Sequence, residues 1–175
     1  MLNVIVFFVF IIATNEGHSK LLISESEEKC LKCICEASSA CTDLLQCAEK
    51  TIDEEYWKTA GELIAGGENN RSENTTENYN NCKKDRTCIL TTMHFYISFT
   101  LRKLNNDIDC NGFTTCADQF AVHNFGMRAN QRTSVFSLGL SKRFDRCMNH
   151  GIFNVTNKWS PNDCSTIAST TSTVL

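Results

Sequence analysis

The sequence predicts a small, mainly α-helical domain that is exported and held together by disulfides. Eleven cysteines occur in 175 residues, and this density in a small exported chain indicates a disulfide framework. Apolar residues recur at helical spacing in several segments. The single proline and the scarcity of strand and turn signals disfavour a β-sandwich. At this length we expect one folded domain.

The N-terminal residues 1–19 have the features of a secretory signal peptide. Residues 2–12 are apolar apart from Asn3, and Gly17 and Ser19 are small residues at the positions that precede a cleavage site. The apolar run is too short to span a bilayer as a stable helix. We therefore expect a secreted, extracellular protein without a membrane partner.

The charge balance excludes one class of partner. Removal of residues 1–19 removes only Glu16 among the charged residues, which leaves 17 basic and 19 acidic residues, a balance of −2. Nucleic acid is therefore not expected as a partner, because no basic surplus neutralises phosphates. The chain as a whole also lacks the charge attraction that draws cationic proteins to anionic cell walls.

All eleven cysteines follow the signal segment, and four of them fall within residues 30–41. They are Cys30, Cys33, Cys35, Cys41, Cys47, Cys82, Cys88, Cys110, Cys116, Cys147 and Cys164. In an exported chain, the cluster favours four disulfide anchors over a zinc site at Cys30 and Cys33. Since the number is odd, one thiol is left over, which allows a monomer or a disulfide-linked dimer. The spacing does not fix the pairing.

Two helices are predicted in the first third of the exported chain. The first covers residues 27–41 and is capped by Ser26, with carboxylates favourably placed in its first turn. The second covers residues 52–65, because Thr51 and Glu54 have the spacing of a capping box and apolar residues follow at helical intervals. Glycines end this second helix.

Residues 66–82 are rich in Gly, Asn and Glu and show no apolar period, so a surface loop is predicted there. Glycan acceptor sequons begin at Asn70, Asn74 and Asn154. In an exported protein we expect at least one of them to carry a glycan.

Residues 86–104 form the most apolar segment after the signal. An i+4 ladder competes there with strand-like alternation, and the length of the segment favours a helix. We expect this helix to be buried on most sides and to form the core. His94 within it is expected to be a packed or rim histidine rather than a ligand.

The last third of the chain contains two more predicted helices. Thr115 and Asp118 form a second capping box, which predicts a helix over residues 115–125. Residues 127–141 are expected to be irregular, with a short helix near residues 141–150.

One segment fits the oxygen-ligand order of a calcium loop, through Asp107, Asp109, Asn111 and Asp118. Thr114 stands where such a loop has an aliphatic residue, and the last ligand is a short aspartate. We therefore favour an acidic turn that caps the next helix, and we expect neither a metal nor another cofactor.

Several motifs together resemble one family. The run Cys-Leu-Lys-Cys-Ile-Cys at residues 30–35, followed by Ser-x-Cys ending at Cys41, resembles the opening of the invertebrate-type (i-type) lysozymes, the destabilase family. Tyr56-Trp57 resembles the aromatic pair of that family. Residues 109–124 are similar to its second half, closest to the insect branch.

The resemblance implies an α+β, lysozyme-like fold with a small β-region. It covers roughly residues 30–164 and is weak over residues 44–85, so we expect the β-region to be reduced. The predicted organisation is a destabilase domain at residues 20–164, followed by a disordered Ser/Thr-rich tail at residues 165–175.

The resemblance implies hydrolysis of the β-1,4 bond of bacterial peptidoglycan, which requires a pair of carboxyl groups. It places the family's acid at position 38, where this chain has Ser38. A serine hydroxyl is too weak an acid for this step. Glu36 lies about 200° away around the helix axis and is expected to face elsewhere. We therefore expect muramidase activity to be impaired or lost.

The other candidate site residues also come from the resemblance. Glu49 and Asp53 lie near the position of the second family carboxylate, although Asp53 also suits a helix start. Tyr56, Trp57 and His123 are candidates for substrate binding. The family's Cys-Gly-aromatic-Phe stretch is missing here, and this missing cysteine would account for the odd number.

Three functions remain open at this point. The chain could be a working lysozyme with other carboxylates, in antibacterial defence or digestion. It could be a non-catalytic binder of glycan or bacterial surfaces on the same scaffold. It could also be an exported helical protein that binds another protein or a small apolar ligand. An isopeptidase activity would need Ser38 or Ser39 to meet His123.

Overall fold

The computed structural model describes residues 23–108, 112–132 and 138–149. The predicted signal peptide, the Asn154 sequon and the Ser/Thr-rich tail lie outside these ranges. Within them the chain is mainly helical and contains no β-strand, which confirms the predicted fold class. None of the helices in these ranges is long and apolar enough to cross a bilayer.

Eight α-helices and two short 3₁₀ helices lie in the part of the chain that the structure describes. The α-helices are α1 Glu25–Ser39, α2 Leu44–Thr51, α3 Glu54–Thr59, α4 Thr75–Cys82, α5 Arg86–Lys103, α6 Cys116–Phe125, α7 Ala129–Arg132 and α8 Leu138–Asn149, and the 3₁₀ helices are Glu68–Asn70 and Gly126–Arg128.

Helix α1 lies at the centre of the domain and contacts α2, α5, α6 and α8. Its side chains Leu31, Ile34 and Ala37 are completely buried. The buried residues of α1 lie between Cys30 and Ala37, so the second half of this amphipathic helix faces the core while its charged first turn remains near solvent.

Three of the four disulfides among the described residues tether α1. The pairs are Cys30–Cys116 to α6, Cys33–Cys147 to α8, Cys35–Cys47 to α2, and Cys82–Cys88, which joins α4 to α5. This confirms the disulfide framework and excludes the zinc alternative at Cys30 and Cys33. The prediction of four anchored positions was wrong at Cys41, which carries a free thiol.

Helix α1 begins earlier than predicted, and Ser24 rather than Ser26 caps it. The Oγ atom of Ser24 accepts a hydrogen bond from the backbone N–H of Glu27 at 3.2 Å. Ser24 is extended, as an N-cap residue should be, whereas Ser26 lies inside the first turn.

The helix predicted over residues 52–65 is present only over α3, Glu54–Thr59. Thr51 belongs to the end of α2, where its hydroxyl donates to the carbonyl oxygen of Cys47 at 3.0 Å. Asp53 caps the separate helix α3, because its carboxylate accepts the N–H of Tyr56 at 2.7 Å. Asp43 caps α2 and Asp53 caps α3, so the capping-box spacing of Thr51 and Glu54 did not mark the start of a helix.

The loop predicted over residues 66–82 was also wrong in its second half, where α4 forms. The side-chain oxygen of Asn74 caps α4 by accepting the N–H groups of Thr76 and Glu77 at 3.0 and 3.3 Å. Asn78 is buried and binds both backbone groups of Ser72. Capping and the bridge at Cys82 thus stabilise a helix without an apolar face.

Helices α5, α6 and α8 confirm the predictions for these segments. The capping box of Thr115 and Asp118 is present in α6. The irregular segment predicted over residues 127–141 was only partly correct, because it includes α7 and the start of α8. Helix α5 supplies much of the core, yet Phe95 and Phe99 on its outer face are exposed.

We predict that the disulfide between α1 and α8 contributes more to the free energy of unfolding than the local disulfide between α4 and α5. Cys33–Cys147 spans 114 residues and Cys82–Cys88 spans 6. A bridge that closes a longer loop restricts the unfolded chain more. The Cys30–Cys116 bridge already shortens the loop that Cys33–Cys147 closes, which reduces the difference between the two pairs. Replacing both cysteines by alanine should cost about 4 kcal/mol for the first pair and about 2 kcal/mol for the second. Denaturant unfolding measures this, and equal losses would contradict it.

Candidate functional site

Ser38 lies in the last turn of α1 and is half-buried against α6. Its hydroxyl donates a hydrogen bond to the Oδ1 atom of Asn124 at 3.1 Å. The Nδ2 atom of Asn124 donates in turn to the carbonyl oxygen of Phe120 at 2.8 Å, which fixes the orientation of the amide. Position 38 therefore carries a neutral hydroxyl engaged with a neutral amide. Asn124 lies in the segment that resembles the family, but its pairing with Ser38, 86 positions away, could not be predicted from the sequence.

The carboxylates considered as substitutes lie in different settings. Glu36 is half-buried on α1, two residues from Ser38. Glu49 is exposed on α2, and its carbonyl oxygen accepts a hydrogen bond from Lys83. Asp53 is exposed and caps α3. No hydrogen bond joins Ser38 to any of the three carboxylates in the described part of the chain.

Tyr56 and His123 form a buried pair between α3 and α6. The phenolic oxygen lies 3.0 Å from Nδ1 of His123, and the Tyr56 ring stacks on Tyr96 of α5 with centroids 3.6 Å apart. Burial lowers the pKa of His123 to about 4 and raises the pKa of Tyr56 well above its usual range. Both side chains are therefore neutral at pH 7.

The structure brings neither candidate serine to His123. Ser38 binds Asn124, and the Ser39 hydroxyl donates to the carbonyl oxygen of Cys35 at 2.9 Å. The isopeptidase arrangement is therefore not assembled by hydrogen bonds among the residues that the structure describes.

Trp57 is a core residue with only 1% of its surface exposed. Its indole N–H donates to the carbonyl oxygen of Leu63 at 2.9 Å, and its ring contacts Tyr79. A role for Tyr56, Trp57 and His123 in substrate binding stays a prediction. Because all three are buried, they offer little surface to a ligand.

Asp118, a possible ligand in the calcium-loop pattern, accepts hydrogen bonds from neighbouring groups of the protein. Its carboxylate accepts hydrogen bonds from the N–H of Ile108 at 2.7 Å and from both the N–H and the hydroxyl of Thr115. Asp107 accepts the N–H of Gly112 at 2.8 Å. These bonds support the interpretation of an acidic turn that caps α6. No cluster of three or more potential metal ligands occurs in the described ranges, which exclude Asp109 and Asn111.

His94 forms an ion-pair contact between α5 and α1. Its Nδ1 atom lies 2.5 Å from a carboxylate oxygen of Glu27, and both side chains are about one-third exposed or less. This is the position of a rim histidine that holds two helices together.

The free thiol of Cys41 lies beside an amine. Lys50 on α2 places its Nζ atom 3.1 Å from the sulfur, and this hydrogen bond lowers the pKa of the Cys41 thiol. Cys41 is only 9% exposed and lines a shallow, solvent-open depression. The sequence could not reveal this pair, because a left-handed residue at Ala40 turns the chain before α2 begins.

Comparison with known proteins identifies the family. A model of the family described as Destabilase matches residues 27–147. The chain belongs to the destabilase family. The match runs from α1 into α8 and contains all four disulfides described above.

Membership in the destabilase family makes the chain a relative of the i-type lysozymes, which are glycoside hydrolases. No curated protein and no solved structure gives a match. The closer affinity to the insect branch stays a prediction.

We predict that His123 makes this destabilase-family protein sensitive to acid. The folded-state pKa of about 4 lies below the usual value of 6.5, so the unfolded state binds the proton first as the pH falls. The contribution of His123 is complete above pH 6.5 and decreases toward pH 4, by about 3 kcal/mol in total. Unfolding measured against pH for the wild type and His123→Phe should show this difference. Parallel profiles would contradict it.

We also predict that Lys50 makes Cys41 reactive. Lys50→Gln should raise the pKa of the thiol and slow its alkylation by iodoacetamide several-fold near neutral pH, because the thiolate is the nucleophile. Mass spectrometry of the peptide that contains Cys41 measures the rate. Lys32→Gln is the matched control, because Lys32 lines the same depression but binds Glu28. Equal rates for all three proteins would disprove the role of Lys50.

Proposed function

We propose that this chain is a secreted destabilase-family protein that binds bacterial peptidoglycan or a related glycan and has impaired or lost muramidase activity. Its role would lie in antibacterial defence or digestion. The observation that carries the proposal is the Ser38 hydroxyl at the family's acid position, hydrogen-bonded to Asn124.

The chemistry of glycoside cleavage explains why position 38 matters. A carboxylic acid must protonate the leaving oxygen while a second carboxylate stabilises or attacks the sugar cation. A serine hydroxyl holds its proton far too tightly for this step, and it is two bonds shorter than glutamate. Loss of a general acid typically costs about 10² to 10⁴ in rate.

The nearby carboxylates do not replace this acid convincingly. Glu36 lies about 200° from Ser38 around α1. Glu49 is exposed on α2, and Asp53 is committed to capping α3. A catalytic acid needs a raised pKa, which normally comes from an apolar pocket or a neighbouring negative charge. The exposed positions of Glu49 and Asp53 provide no such pocket.

The binding half of the proposal follows from the retained scaffold. The match to the family covers the disulfide-tethered core from α1 to α8, and four disulfides suit an oxidising, extracellular setting. Removal of a catalytic acid slows the chemical step without itself removing the surfaces that contact substrate. A protein of this kind would therefore retain its affinity for glycan.

Two variants at position 38 test the proposal. We expect wild type to co-sediment with insoluble peptidoglycan but release little reducing sugar. Ser38→Glu should raise the release above that of Ser38→Gln, because the two side chains have nearly the same size and only one can donate a carboxyl proton. Wild-type protein that does not co-sediment would contradict the proposed binding.

Three further variants decide whether another carboxylate has taken over. They are Glu36→Gln, Glu49→Gln and Asp53→Asn. Substantial sugar release by wild type, abolished in one of these variants, would show that muramidase activity is intact and identify the acid or its partner. An inert Ser38→Glu variant would show that the loss extends beyond position 38.

A further inference from the structure

We propose that one exposed face of α5 docks the peptidoglycan strand. This face, called the α5 face below, consists of Phe95, Phe99, Arg102 and Lys103. The aromatic rings would lie beneath sugar rings, and the cations would bind the carboxylates of the peptide stems. The inference rests on the proposed function, because it names where the proposed glycan binds.

The two aromatic side chains of the α5 face are unusually exposed. Phe95 is 48% and Phe99 is 50% exposed. Residues four apart lie on the same side of a helix, so the two rings are neighbours. Scattered single apolar side chains are common on surfaces, but adjacent large ones suggest a contact surface.

The geometry of the rings suits a sugar strand. Residues four apart are separated by about 6 Å along a helix axis, which is close to the length of one sugar unit. The face of an aromatic ring carries partial negative charge and attracts the positive edges of C–H groups, which cover the faces of β-linked sugars. The sugar hydroxyl groups would then point sideways into water.

The charge around the rings is complementary to peptidoglycan. Helix α5 contains no Asp or Glu, and Arg102 and Lys103 occupy its last turn. The amine of Lys103 lies 5.5 Å from the centroid of the Phe99 ring. Neither cation forms an ion pair within the described ranges, so both can bind the carboxylates of the peptide stems.

The carboxylates that approach α5 from α1 already have partners on α5. Glu27 is paired with His94, and Glu28 is paired with Arg86. The wider segment of residues 78–149 has ten basic and five acidic residues. Arg102 and Lys103 therefore offer positive charge to an anionic ligand on a chain whose total charge is negative.

The α5 face is also connected to the candidate site. Tyr96 follows Phe95 and stacks on Tyr56, which binds His123. His123 precedes Asn124, the partner of Ser38. A strand held on the α5 face would thus be attached to the same rigid cluster as the candidate site, but independently of position 38.

Binding to two insoluble glycans tests the inference. Peptidoglycan carries sugar rings and anionic peptide stems, whereas chitin carries only the sugar rings. Phe95→Ala/Phe99→Ala should weaken binding to both glycans by about tenfold, the value expected for the loss of two ring contacts. Arg102→Gln/Lys103→Gln should weaken binding to peptidoglycan only, and added salt should mimic it.

The matched control is Phe113→Ala. Phe113 is 74% exposed but lies between α5 and α6, outside the α5 face. This variant should bind both glycans like wild type. Thermal unfolding of all variants should remain cooperative with only a modest decrease in Tm, because about half of each replaced Phe95 and Phe99 side chain is already exposed. A cooperative transition excludes misfolding as the cause of weaker binding.

The outcomes separate the two proposals. If wild type binds peptidoglycan and Phe95→Ala/Phe99→Ala binds equally well, the α5 face is not the binding surface, while the proposed function stands. If wild type binds no glycan, both proposals fail. Two other outcomes for Phe95→Ala/Phe99→Ala, each with unchanged glycan binding, would overturn the inference. Loss of dimers in sedimentation would assign the face to a second copy of the chain, and loss of binding to anionic vesicles would assign it to a lipid surface.

Discussion

The structure depends on the covalent attachment of α1 to its neighbours. Three disulfides tie this one helix to α2, α6 and α8, and contacts of Glu27 with His94 and of Glu28 with Arg86 connect it to α5. Small domains bury a limited share of their apolar surface. The bridges compensate by restricting the unfolded chain, which allows polar elements such as α4 to belong to a stable fold.

Because of these disulfides, the stability of the fold does not depend on the residue at position 38. Ala37 is completely buried, while the next residue, Ser38, is only half-buried and forms a single hydrogen bond to a neighbouring helix. A side chain in that position contributes little to holding α1, because Cys30, Cys33 and Cys35 do so. The residue at position 38 can therefore change without loss of the fold. The proposed loss of muramidase activity is compatible with an intact domain for this reason.

Local signals predicted much of the fold, and contacts distant in sequence explain what they missed. The apolar ladder of α5 and the capping box of Thr115 and Asp118 lie within single segments, and both were confirmed. Helix α4 depends on Asn78 and a bridge rather than on an apolar face. The Ser38–Asn124 bond joins residues 86 positions apart, so only the folded chain reveals it. The roles of the candidate site residues themselves stay predictions.

The order of the bridges along the chain determines how the molecule responds to a cut in its backbone. Cys30 and Cys33 pair with cysteines more than 80 residues later. A protease that cuts the backbone once anywhere between Cys47 and Cys116 therefore leaves two fragments that remain covalently joined through α1. The long polar segment around the 3₁₀ helix Glu68–Asn70 is the exposed target for such a cut. A nicked molecule would keep its mass and much of its core.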